Sequence, residues 1–103
     1  MKLDEFGRFS DPALLILSSV ADGPKHGYAM MIDIAAMTGV RLGPGTLYGA
    51  LARLESSGLI KAMPASERRR PYQLTPKGAI VLREQLTLLQ RVASAGLRRL
   101  ARA

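Results

Sequence analysis

A mainly α protein with one small β-hairpin is predicted by three features of the sequence. Proline sits at the first turn of three apolar segments, in Ser10-Asp11-Pro12, Gly43-Pro44 and Thr75-Pro76, where a helix start tolerates it. Apolar residues recur at spacings of three and four through the segments that follow. The β-compatible stretches Leu59–Met63 and Tyr72–Leu74 enclose a polar turn, Pro64 to Arg70.

Each element has a local reason. Met1 to Phe9 place Leu3, Phe6 and Phe9 three apart, which fits a short amphipathic helix or an arm. Ala13 to Ala21 is nearly all apolar, so the first helix is expected to be mostly buried, with Asp22-Gly23-Pro24 ending it. A second helix is expected from about Gly27 to Thr38, stopped by Gly39, with Tyr28, Met31, Ile32 and Ala35 forming its stripe. Met30, Ile34 and Met37 widen that surface, either as core or as a place for a partner or ligand. Val40-Arg41-Leu42 is short enough to add one bridge of strand. The third helix opens at Gly43-Pro44, turns Leu47, Leu51 and Leu54 to the core, and ends near Gly58, a C-terminal cap. Pro71 cannot donate to a ladder and belongs at a strand start or edge. Thr75 caps a last helix that runs to about Ala101, with Leu82, Leu86, Leu89, Ala93, Leu97 and Leu100 as its stripe. At 1.5 Å per residue this helix is roughly 35 to 40 Å long. It outreaches so small a core, and a second copy of the chain is the simplest cover for its stripe, the alternative being a helix folded back on its own domain.

The chain has 103 residues, suited to one domain, and 48% are hydrophobic, so it is no disordered tail. No apolar run is long enough to span a bilayer, and the start lacks the basic and apolar regions of a signal peptide. With no Cys and one His, neither a disulfide framework nor a metal site is expected, and a cytoplasmic location agrees with that composition. The net charge of +7 is skewed: residues up to Ala50 carry −1 and the remainder +8. That skew suits a polyanionic partner or a solvated basic surface.

Three helices, a hairpin and a long helix, in that order, make a winged helix-turn-helix with a two-stranded wing and a C-terminal dimerisation helix. Residues 1–9 would be an arm or short helix, 10–75 the winged domain and 76–103 the dimerisation helix. In such a domain the third helix presents its outer face to the major groove, whose width admits one helix. Here that face carries Gly45, Thr46, Gly49, Arg53 and Ser56. The small residues let backbone approach DNA, Thr46 suits a phosphate or a thymine methyl, and Arg53 a phosphate or a guanine edge. Tyr48 suits a phosphate or the helix junction. Arg68-Arg69-Arg70 at the wing tip fits phosphates or a narrow minor groove. Lys25-His26-Gly27 precedes the second helix, whose N-terminus can receive a phosphate. The candidate DNA-contacting set is thus Lys25, His26, Tyr28, Gly45, Thr46, Tyr48, Gly49, Arg53, Arg68, Arg69 and Arg70.

These residues resemble the PadR family of bacterial transcriptional regulators. The matching segments, in family order over about residues 12 to 80, are Gly23-Pro24-Lys25-His26-Gly27-Tyr28, Leu42-Gly43-Pro44-Gly45-Thr46-Leu47-Tyr48 and Leu51-Ala52-Arg53-Leu54-Glu55. Ser57-Gly58-Leu59-Ile60, Arg68-Arg69-Arg70-Pro71-Tyr72 and Leu74-Thr75-Pro76-Lys77-Gly78 follow. The short C-terminal region is similar to the small subgroup with one terminal helix. The resemblance implies a homodimer that represses nearby genes, relieved in some members by a small molecule. Position 49 is Gly where many members have Pro, which loosens the first turn of the reading helix. Some members stack flat drugs between tryptophans of the terminal helices; this chain has no Trp, which leaves a Met- or Leu-lined pocket at the dimer interface for any effector.

An enzyme is not expected, since one His, no Cys, no Gly-rich phosphate loop and no suitably spaced carboxylate pair leave no residue set for catalysis, and no cofactor is implied. The competing readings are a winged-helix protein-interaction module with only generic polyanion affinity, and an RNA-binding protein. The latter would want exposed aromatics for base stacking, whereas Tyr28, Tyr48 and Tyr72 all have structural explanations. The expected partners are therefore double-stranded DNA with an inverted-repeat operator and a second copy of the chain, with no membrane.

Overall fold

The computed structural model describes residues 11–65 and 69–103; the N-terminal arm expected over 1–9 and the wing-tip residue Arg68 lie outside the described residues. The chain forms α1 (Pro12–Ser19), a 3₁₀ turn (Val20–Asp22), β1 (Lys25–His26), α2 (Gly27–Thr38), α3 (Pro44–Ser56), β2 (Ile60–Ala62), β3 (Pro71–Leu74) and α4 (Pro76–Arg102).

Local chemistry accounts for the boundaries. The Asp11 carboxylate accepts from the Ala13 N–H at 2.9 Å, and Pro12 occupies the first turn of α1. The helix is shorter than its apolar run, closing at Ser19 into the 3₁₀ turn. Gly39 ends α2 in the left-handed region at φ 79°, its N–H returned to the Ala35 carbonyl at 2.8 Å. At the end of α3, Gly58 (φ 76°) donates to Glu55 and Leu59 donates to Leu54, both at 3.0 Å. Those are the two bonds of a Schellman cap, and Leu54 and Leu59 add its apolar contact. Thr75 caps α4 by accepting from the Gly78 N–H at 3.0 Å, and donates its own proton to the Gly58 carbonyl at 2.6 Å.

The core is a single cluster. Ile16 of α1, Met30 and Ile34 of α2, Leu47 and Leu51 of α3 and Ile60 of β2 are fully buried at its centre, with Leu82 of α4 at its edge. On α3 the stripe is as expected, with Leu47, Ala50, Leu51 and Leu54 all inward. α1 packs against both α3 and α4. The concavity holding Ala21 also holds Ala79 and Leu82, and the one holding Asp11 and Ala13 also holds Leu88 and Leu89. α4 therefore runs antiparallel to α1, and its second half continues past the end of the core.

The sheet departs from the two-stranded expectation. It has three strands in the order β1-β3-β2, all antiparallel, with Lys25 opposite Tyr72, His26 opposite Pro71, and Ala62 also opposite Tyr72. The extra bridge comes from Lys25–His26 and not from Val40–Leu42, which forms no strand. The reason is tertiary. The backbone leaving Gly23-Pro24 is extended and lies along the free edge of β3, whereas Val40–Leu42 has no strand beside it.

α4 is seated by a close backbone approach. A Cβ at Gly78 would collide with the carbonyl oxygen of Leu59 and lie 2.8 Å from the Leu74 side chain. Backbone at a strand start cannot yield as a flexible side chain does. Gly78→Ala is therefore expected to destabilise the fold by about 3 kcal/mol, the upper end of overpacking costs, read as a lower urea midpoint at unchanged slope.

Candidate nucleic-acid interface

Three elements converge on one surface. β3 pairs with β1, and β1 runs straight into α2, so the base of the wing lies beside the α2 N-terminus. Together they form a cleft of about 320 Å³ lined by His26, Gly27, Tyr28, Tyr48, Arg69, Arg70 and Tyr72. Unsatisfied helix N–H groups and two arginines in one concavity make a site for an anion such as a phosphate.

His26 occupies the N-cap of α2, its Nδ1 accepting from the Ala29 N–H at 3.3 Å. An accepting Nδ1 places the neutral ring's proton on Nε2, leaving one ring N–H free to donate into the cleft. Tyr48 resolves the two uses open to it. Its hydroxyl would stand 2.7 Å from a Cβ at Gly27, so the hydroxyl end of the ring packs against the first turn of α2 at the helix junction. Tyr48 nevertheless remains 52% exposed and lines the cleft, so its hydroxyl also suits a phosphate. Gly27 is buried, and a side chain there would have to displace the end of the Tyr48 ring.

The outer face of α3 carries Gly45, Thr46 and Arg53, all exposed, and Gly49, half-buried. Gly45 is not in the left-handed region, and a Cβ there would meet nothing within 4 Å. Neither backbone conformation nor internal packing calls for glycine at 45. A Cβ at Gly49 would lie 3.7 Å from an Arg53 guanidinium nitrogen, so the arginine folds back along the helix over that position.

Lys25 differs from its expected role. Its ammonium donates to the Ser19 carbonyl and to Asp22 at 2.5 Å, with Asp33 4.0 Å away, and the side chain is only 20% exposed. Asp33 in turn accepts from the Ser19 hydroxyl at 2.6 Å. Lys25 thus ties the end of α1 to α2, because the Ser19 carbonyl at the helix end and the nearest carboxylates, Asp22 and Asp33, gather on its side of the fold. It also holds the Asp22 carboxyl below its ordinary range, through the hydrogen bond first and the charge second. That contact is complete above the usual carboxylate range and is lost as pH falls through the depressed value; fully exposed, it adds little to stability.

On α4 the expected stripe divides. Leu82 is 4% exposed in the protomer's own core, since it still lies over α1, and so is no part of an uncovered face. Leu89 is half-buried in the groove with Leu14, Leu17 and Leu54. Leu86, Ala93, Leu97 and Leu100 are exposed, the last two at 69% and 73%. Val92, absent from the expected stripe, is exposed beside it, so the apolar face is wider than the spacing alone marked out, and Leu88 lies further round, exposed in the groove with Asp11 and Ala13. Tyr72, read only as a strand residue, also lines the cleft; its alternation along β3 was the available signal.

Among the described residues no group of three or more His, Asp or Glu could hold a metal, and no helix is long and apolar enough to cross a membrane.

The family model described as "Transcriptional regulator PadR-like family" matches residues 16–84. An uncharacterized 37.1 kDa protein in transposon TN4556 of Streptomyces fradiae is 44% identical over 86 residues, which cover 84% of this chain but only 25% of that protein. Transcriptional regulator Rv3488 of Mycobacterium tuberculosis is 37% identical over 83 residues, covering 78% of this chain and 77% of that one. The structure of a transcriptional regulator from Clostridium thermocellum superimposes with a TM-score of 0.74 at 28% identity, covering 84% of this chain and 90% of that one.

Two substitutions separate architecture from contact. Gly45→Ala is expected to leave urea stability unchanged or raise it by up to about 1 kcal/mol, while weakening DNA binding by closing the approach to backbone. Lys25→Met is expected to cost about 1–2 kcal/mol of stability and to leave the salt dependence of DNA binding unaltered. A reduced salt slope in that variant would return Lys25 to the contacting set.

Proposed function

The chain belongs to the PadR-like family of transcriptional regulators, and from that membership we propose that it is a homodimeric repressor reading an inverted-repeat operator in double-stranded DNA. It is a DNA-binding regulator and not an enzyme. The observation that carries the finer reading is the cleft, where the capped N-terminus of α2, Tyr48 and the wing arginines Arg69 and Arg70 meet beside the open first turn of α3. In this reading α3 enters the major groove with Thr46 and Arg53 towards base edges or phosphates, and Gly45 and Gly49 admit close approach. His26, Tyr28, Tyr48, Arg69 and Arg70 hold the backbone, with Arg68 beyond the described residues as a further wing cation.

The homodimer is supported by the apolar surface of α4, where Leu86, Val92, Leu97 and Leu100 are exposed among the described residues. Two reading helices so joined would occupy successive major grooves, with half-sites roughly 34 Å apart. Relief by a small molecule would use the concavity of about 490 Å³ that Leu74, Leu82 and Leu86 share with Arg83 and Gln90, since it opens on the same α4 surface. Such a regulator would work in the bacterial cytoplasm, on the nucleoid.

Fluorescence anisotropy against DNA from upstream of its own gene, with a scrambled control and a salt series, tests the reading. Tight binding to the native fragment alone is expected; equal weak binding to both would favour a protein-interaction module with incidental basic charge. Arg69→Ala with Arg70→Ala is expected to weaken binding to every sequence and, with two arginines lost from each protomer of the dimer, to flatten the salt slope by about 4. Leu97→Asp with Leu100→Asp should leave the protomer folded and yield a monomer in sedimentation. An intact dimer would refute the interface.

A further inference from the structure

The charge that points to a polyanion is not mainly on the winged domain. Residues 10–75 carry seven cations and five anions, or +2, whereas α4 carries six cations and one anion, or +5. Arg91, Arg98 and Arg102 lie within about 40° of one another around the helix, at 100° per residue, and opposite the apolar stripe. They are spaced about 10 Å and then 6 Å along the axis. All three are exposed, and no carboxylate of the described residues pairs with them.

Their place in the fold puts them far from the cleft. α1 leads through the 3₁₀ turn into β1 and His26, so its C-terminal end is the end near the cleft. α4 runs antiparallel to α1 and continues thirteen residues beyond Leu89, about 20 Å further, in a molecule 55 Å long. None of the three arginines lines the cleft, and Arg91, the nearest, stands about 22 Å along α4 from Pro76, so contact with the row is separable from contact at the cleft.

We propose that the Arg91–Arg98–Arg102 row is a second site for the phosphate backbone of duplex DNA, so that the protein holds two duplexes at once. This rests on the reading of α3 and the wing as the first site. Thr87, Ser94 and Ala95 lie between or beside the arginines, and the one large apolar neighbour, Leu88, stands before the row, in the groove with Asp11 and Ala13, so this face from Arg91 to Arg102 holds no aromatic or large apolar anchor of the kind a protein partner needs. Arginines separated by small residues suit sequence-independent contact with phosphates, which takes its strength from released counterions.

The test compares the unsubstituted protein with Arg91→Ala/Arg98→Ala/Arg102→Ala. Anisotropy with one 25-bp duplex reads the first site. Capture of a fluorescent 25-bp duplex of unrelated sequence, on beads carrying the first duplex and protein, reads the second. The triple variant is expected to match the unsubstituted affinity for one duplex within about twofold, to lose capture at least tenfold, and to lower the salt slope of capture by about 3. Equal capture by both proteins overturns the proposal. A matching loss of single-duplex affinity also overturns it, because the row would then belong to the first site. Displacement of the second duplex by poly-L-glutamate at equal charge would make the row a general anion surface and overturn the duplex assignment. Failure of the unsubstituted protein to bind one duplex would instead refute the first-site reading, and this inference with it.

Discussion

The pairing of β3 with two strands at once is the constraint on which the rest of the site depends. Through β2 it closes the wing, and through β1 it fastens that wing to the residue that caps α2. Two residues of β1 suffice because His26 is both the last strand residue and the N-cap, so strand pairing and helix start share one peptide. Arg69 and Arg70 are thereby delivered to a helix N-terminus whose N–H groups favour the same kind of ligand. Without β1 the base of the wing would still be held by Ile60 in the core, but β3 would lose its link to the α2 N-terminus.

The glycines divide by the kind of constraint they meet. Gly78 is demanded from within by the Leu59 carbonyl, and Gly27 leaves room for the end of the Tyr48 ring. Gly39 and Gly58 are demanded by backbone conformation at helix ends. Gly45 is demanded by neither, although a helix is more stable with alanine at such a position. A residue that lowers helix propensity and meets nothing among the described residues is most simply explained by what approaches from outside. Lys25 gives the opposite lesson, since a cation adjoining a candidate site has its charge consumed by Ser19, Asp22 and Asp33.

α4 does two physical jobs along its length. Over its first turns Gly78 and Leu82 are buried against the winged domain, and the helix completes that core. Beyond Leu89 it has little to pack against, so its apolar face and its arginine face are both turned outward. Lysine or arginine alone would keep such a helix in water. The broad apolar face, with leucines more than two-thirds exposed, is what calls for a second surface.

The sequence by itself determined the helices, their caps and the class of fold, because those depend on local signals: Pro12, Pro44 and Pro76 in first turns, glycines after last turns, and leucines at three and four on α3. It also put Thr46, Tyr48 and Arg53 on the third helix and Arg69 and Arg70 beside the second wing strand, where the structure has them. The tertiary structure alone decided whatever depends on which segments meet. β1 exists because an extended dipeptide finds the edge of β3, and nothing in Lys25-His26 marks it as a strand. Lys25 is a tie because three oxygens from α1, the turn and α2 gather round it, residues spread from 19 to 33. Leu82 is core while Leu97 on the same stripe is exposed, because the core is shorter than the helix. Periodicity reports which way a side chain faces, and only the packed chain reports what it faces.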